Sequence, residues 1–229
     1  MPAPCPPSRA GTAPAHRLTS DMVLVHKVFR REFGLLPVLL AGVDAGNTAR
    51  IALIAAHANE LSTALRHHHA AEQDLLWHRL RDRDALDESL HGRLRDRQRK
   101  HFALLSELDG LLPLWTGSGA PDLQAVLVDI AGELSGLVAA HLDAVEHSVL
   151  PAVDEHFSAR EWLAMGLRAA SWIPLHRMAW MLGAMLEDAT AAERTALLAK
   201  VPGPARLLYR MVGRDQYARE MSELRCVSL

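Results

Sequence analysis

Four successive long segments of this chain carry apolar residues spaced alternately three and four apart, and no segment sustains a period-two alternation. That rhythm buries one stripe of a helix, whereas strands bury alternate residues. The spacing predicts helices over 19–42, over 48–83, from 84 or 87 to 112, and over 123–149. Pro37 falls inside the first, where a missing N–H and a ring clash predict a kink or a split end. GVDAGNT (42–48) reads as a turn with Asn47 as N-cap, and PLWTGSGAPD (113–122) reads as a loop. Beyond Pro151 the pattern shortens. Ser158 with Glu161, and Thr190 with Glu193, match capping boxes that start helices. Pro174, Pro202 and Pro204 mark further breaks. The expected fold is all-α: an antiparallel up-down-up-down four-helix bundle with additional short C-terminal helices packed on it. Three regions follow: a disordered tail over 1–18, the bundle over 19–155 and a helical extension over 156–229.

Composition narrows the function classes. A net charge of −2 gives no basic field for nucleic acid or acidic membranes. The arginine-rich stretch between Arg79 and His101 is interrupted by aspartates and reads as a solvated face. Only Cys5 and Cys226 are present, so there is neither a disulfide framework nor a cysteine zinc site, and a reducing cytoplasm is expected. MPAPCPPSRAGTAPA at the start is rich in proline and small residues and lacks the apolar core of a secretory signal. No apolar run is expected to reach bilayer-spanning length, so no membrane partner is expected. Trp77, Trp162, Trp172 and Trp180 read as packing residues, and no phosphate loop or Ser-His-Asp spacing stands out.

The unusual feature is histidine, of which there are 13. The inward stripe of the first segment reads Met22, His26, Phe29, Phe33, Leu36, Leu40. The second reads Ile51, Ile54, Ala58, Leu61, Leu65, His68, Glu72, Leu75. The third reads Leu90, Leu94, Arg97, His101, Leu104, Leu108, and the fourth Leu123, Leu127, Ile130, Leu134, Leu137, His141, Val145. Each stripe therefore holds one histidine. At about 1.5 Å rise per residue, His26, His68 and His101 lie at matching distances from their shared turns, while the depth of His141 is less defined. One histidine on an apolar face is ordinarily a satisfied core residue. Four, with a glutamate, are costly to bury without a common partner, and neutral imidazole is a good ligand for iron, zinc, copper or nickel. His68 and Glu72, four apart, point inward together. His69 is a competing ligand or a supporting donor. His67 reads as solvated, His57 as structural and His147 as surface. Glu146 follows His141 by five residues, about 140° around an ideal helix at about 100° per residue, which requires separate ions or a local distortion. Glu88 and His91 form the single Glu-x-x-His spacing, at an expected exposed helix start. A ferritin-like site needs two such motifs and is rejected.

HKVFRREF from His26, HHHAAEQDLLW from His67, His101, and HLDAVEHSVLP from His141 together resemble the hemerythrin family, specifically its HHE cation-binding branch. The resemblance covers roughly residues 19 to 155. It implies a non-haem di-iron centre in the bundle. His26 and His68 would serve one iron, His101 and His141 the other, and Glu72 and Glu146 would bridge them. This chain departs from the pattern twice. Arg97 and Leu105 stand where hemerythrin has a second histidine on its third helix, and Val145 stands where many HHE members have a glutamate. The resulting centre is ligand-poor, with a water, His69 or His147 completing it, or with one weakly held metal. The resemblance implies binding or sensing of dioxygen, nitric oxide, peroxide or iron. The alternatives are an enzyme consuming peroxide or nitric oxide at the same iron, and a metal-free scaffold. Homo-oligomers through the C-terminal helices are a further expectation.

Overall fold

The computed structural model describes residues 17–226, less the side chains of residues 175 and 176; residues 1–16 of the expected tail lie outside it. All regular structure among the described residues is helical. The bundle comprises α1 (Ser20–Ala41), α2 (Thr48–Glu72), α4 (Glu88–Ser118) and α5 (Pro121–Ala144), with a short α3 (His78–Arg81) after α2 and α6 (Leu150–His156) after α5. α1 packs on α2 and α5, and α4 packs on the same two helices, which closes a square. Contacts give the directions. His26 faces His68 while Glu32 faces His57, and His69 meets His101 while Ser62 bonds Asp109, so each neighbour runs back along the last.

The local sequence explains most boundaries. The Asn47 side chain accepts from Arg50 N at the start of α2, and Asp87 accepts from Leu90 N at the start of α4. Pro37 is absorbed without ending α1. The expected loop over 113–122 is corrected: α4 continues through Pro113 to Ser118, leaving Gly119 and Ala120 as the connection to α5. Gly119 has φ 63°, and a Cβ there would stand 2.8 Å from Ala45 O, so only glycine makes this turn without strain.

Two π-helical turns, Gln73–Trp77 and Val145–Val149, interrupt the long helices and correct the expected stripes. Each adds a residue to one turn and advances the buried face. Leu76, Trp77 and Leu80 are buried below Glu72, while Leu75 is only partly covered. On α4 the buried set is His91, Leu94, Gln98, His101, Leu105, Leu108, Leu112 and Trp115, so Leu90, Arg97 and Leu104 flank the core. On α5, Val138 is buried and Leu137 is not. His91, expected at an exposed helix start, is 5% exposed against the Trp77 ring.

The apolar interior falls into two main clusters. One includes Phe29, Phe33, Leu65, Leu105 and Leu142; the other includes Trp77, Leu94, Val145, Val149 and Trp162 of α7 (Ala159–Ala170). The histidines lie between them along α2, α4 and α5. The helical run Pro121–His156 contains a window with mean hydropathy 1.5, long and apolar enough by composition to cross a membrane. This corrects the expectation that no run reaches that length. In the bundle this run packs against α1 and α4.

The extension continues as α8 (Leu175–Glu187), α9 (Ala191–Lys200), α10 (Gly203–Leu208) and α11 (Arg214–Arg225). Both expected capping boxes form, at Ser158/Glu161 and Thr190/Glu193. α8 and α9 pack on α1, and α11 packs on α8. A buried polar knot joins extension to bundle. Glu32, 0% exposed, accepts from Arg31 Nε at 2.8 Å and from Arg225 Nη2 at 3.1 Å, with His57 Nε2 at 3.4 Å. Burial opposes ionisation of Glu32, but His57 and Arg31 outweigh it and hold its pKa down at about 2. His57 is thus structural, as expected. Arg225→Ala removes one partner of this buried charge and is expected to cost about 3 kcal/mol in urea unfolding; Arg225→Lys, which keeps the charge, should cost less.

Candidate metal centre

Five histidines and one glutamate meet in the layer between the two apolar clusters. α1 supplies His26, α2 supplies His68, His69 and Glu72, α4 supplies His101, and α5 supplies His141. All are buried: His26, His101 and His141 at 0% exposure, His69 at 2%, Glu72 at 5% and His68 at 9%. The rings form two groups. His26 and His68 stand edge to face at 5.4 Å, with Phe29 against His68. His69, His101 and His141 form a triangle with centroids 5.0 to 5.3 Å apart. Glu72 lies between the groups. Its Oε1 is 3.5 Å from His68 Nε2, while its Oε2 is 3.1 Å from His69 Nδ1 and 3.7 Å from His141 Nε2. Ligand atoms of His69, Glu72 and His141 all fall within 4.8 Å of one another.

The expected depth match of His26, His68 and His101 extends to His141, whose depth the long expected loop had obscured. Both His68 and His69 turn inward, one to each group. They are consecutive and about 100° apart on a helix, so one helix reaches two neighbours. His67 is exposed, as expected, and so is His147. Glu146 behaves differently from Glu72. It lies in the π turn after α5, a local distortion of the kind its spacing required, but its side chain stays 26% exposed. Its Oε1 faces His26 Nδ1 at 2.8 Å and accepts from Arg30 Nη1 at 2.7 Å. It meets the layer at His26 alone.

Gln98 is the residue that sequence reasoning missed. Its Nε2 donates to Glu72 Oε2 at 2.9 Å and lies 3.3 Å from His69 Nδ1. A seven-residue series, His91, Gln98, Leu105, Leu112, would have found it. Arg97, chosen in its place, reaches outward to Ala140 O at 2.9 Å. Leu105 and Val145, at the two departures from the family pattern, are buried apolar walls.

The donor chemistry fits a metal. His26 Nε2, His68 Nε2, His101 Nε2 and both nitrogens of His141 are buried without a hydrogen-bond partner. Unpaired buried donors or acceptors are destabilising, and here several fall in one layer. Burial pushes His68 down to about 3 and His101 down to about 3, with the neighbouring imidazoles adding to the effect. Both rings therefore stay neutral at neutral pH, with a lone pair free. Burial works against the Glu72 carboxylate, but His68, His141 and His69 outweigh it and hold its pKa well below the usual value. Neutral imidazoles at His68 and His101 beside an ionised carboxylate, with three further buried histidines in the layer, suit a divalent transition ion.

These shifts set a pH dependence for metal-free protein. Above the ordinary histidine pKa of 6.5, folded and unfolded chains both carry the His68 and His101 rings neutral. Below it the unfolded chain takes up protons that the folded layer refuses, so stability falls between pH 6.5 and about 3. The thermal midpoint of metal-free protein is expected to drop over that range. His101→Leu should flatten the slope by removing one of the two strongly shifted rings.

No curated protein and no solved structure matches the chain. A family model, the hemerythrin HHE cation binding domain, matches residues 17–153, which run from just before α1 into α6 and end before α7. With its buried histidine and glutamate layer inside the matched segment, the chain belongs to the hemerythrin HHE cation-binding family.

Proposed function

We propose that this protein holds non-haem iron in the histidine layer, with room for two ions, and uses it to bind or sense a small ligand such as dioxygen, nitric oxide or peroxide. The observation that carries this reading is the set of unpartnered imidazole nitrogens around the buried Glu72 carboxylate. A metal-free scaffold would bear their desolvation with no return. Membership of a cation-binding family supports the same conclusion.

His26 and His68 would hold one ion and His101 and His141 the other, with Glu72 between them. His69 would complete the second group, standing in for the histidine that Arg97 and Leu105 replace. Iron bound there would supply an electron-donating centre for a diatomic or peroxide ligand. The chain's own contribution is to orient and to exclude water. Gln98 fixes the Glu72 carboxylate, and the Phe102 ring, 5.7 Å from His69, with buried Val145 and Leu105, gives the layer apolar walls. Phe102, Val145 and Leu105 themselves offer no acid or base to a bound ligand, which favours reversible binding over turnover. An enzyme consuming peroxide or nitric oxide remains the second reading, distinguished by whether added substrate is consumed catalytically.

Iron per chain, measured by mass spectrometry on untagged protein reconstituted with ferrous ion, should approach two. His68→Ala and Glu72→Ala should lose most of it while keeping helix content by circular dichroism, and His69→Ala should lower affinity about 10- to 100-fold. His67→Ala should retain full occupancy. Full iron in both His68→Ala and Glu72→Ala would reject the assignment.

A further inference from the structure

The two carboxylates near the histidine layer are unequal. Glu72 is 5% exposed, and its oxygens face imidazoles and the Gln98 amide. The Glu146 side chain is 26% exposed, and its Oε1 is shared between His26 Nδ1 at 2.8 Å and a permanent cation, Arg30 Nη1, at 2.7 Å. Arg30 follows His26 by four residues, so both project from the same face of α1. Its other arm, Nη2, donates to Asp143 Oδ1 at 2.6 Å. Asp143 precedes Glu146 by three residues, on the adjoining turn. One planar guanidinium therefore spans two carboxylates on the rim of the layer, a geometry for which arginine is suited and lysine is not.

From this juxtaposition we propose that Arg30 is a positioning residue at the mouth of the centre, holding Glu146 at the surface and competing with a divalent cation for its carboxylate. The proposal rests on the metal reading above. A guanidinium does not deprotonate at ordinary pH, so the competition is constant. It acts twice against an incoming ion: it occupies acceptor positions on Glu146, and its charge repels a second cation. Glu146 is thereby shared between two cations instead of being committed to the layer as Glu72 is. The consequence is inequality between the two halves of the centre. The His26 and His68 side, where Glu146 stands, holds its ion less firmly than the side of His69, His101 and His141.

The test is a cobalt(II) titration of metal-free wild type, Arg30→Gln and Arg30→Lys, followed by calorimetry and by the visible absorbance of bound cobalt. Arg30→Gln should bind the most weakly held ion about tenfold tighter, the scale of one charge-assisted hydrogen bond. Arg30→Lys keeps the charge without the planar fork and should fall between, about threefold tighter. Circular dichroism establishes that each variant keeps its helices; if Arg30→Gln does not, the Arg30→Lys comparison stands alone. Unchanged or weaker binding in the folded variants, with wild type binding cobalt normally, overturns the role of Arg30 and leaves the metal reading intact. No binding of cobalt or iron by any form overturns the metal reading and this proposal with it.

Discussion

A polar layer in the middle of an apolar bundle is the constraint on which the rest of this structure depends. His26, His68, His69, His101 and His141 are removed from water with several ring nitrogens unpartnered. Each such group costs free energy in a folded chain. The surrounding architecture limits that cost. Apolar clusters above and below confine the polar groups to one level, and Glu72 with Gln98 satisfies what hydrogen bonding can reach. What remains is a set of buried nitrogen and oxygen donors converging on a small volume, an arrangement that suits a transition ion.

The two π turns have a bearing on this layer. They follow Glu72 on α2 and begin just before Glu146, one on each of the two helices that carry the candidate carboxylates. An inserted residue lets the helix change its buried face below the layer. Ligand positions above the turn and core positions below it can then both point inward. On α2 this puts Leu76 and Trp77 beneath Glu72. On α5 it accompanies a carboxylate that leaves the core and reaches the rim.

The extension is tied to the same helix that carries His26. Lys27 bonds Glu193, Arg31 bonds Glu32 and the α8 end at Ala184 O, and Arg225 of α11 closes on Glu32. Successive turns of α1 therefore alternate between the candidate centre on one side and the extension on the other. The family match stops at residue 153, yet the burial of Glu32 needs Arg225 from beyond it. Bundle and extension share one charge network.

Much of this was legible in the chain itself. Helical periodicity, the Asn47 cap, both capping boxes and the inward direction of His26, His68, Glu72, His101 and His141 follow from local spacing, because a helix presents residues three and four apart on one face. Spacing failed wherever the helix departs from its ideal repeat or where a choice between adjacent residues belongs to neighbouring helices. Leu75 gave way to Leu76 through a π turn, and Arg97 to Gln98 through the packing of α4 against α2 and α5. Pro113 stayed helical, although its residue type signals a break. His68 and His69 could not be separated by periodicity, because each is buried against a different helix. Glu146 is the clearest case. Its identity and distance from His141 are written in the sequence, but its partner is Arg30, more than a hundred residues away, and only the closing of α1 on α5 brings the two together.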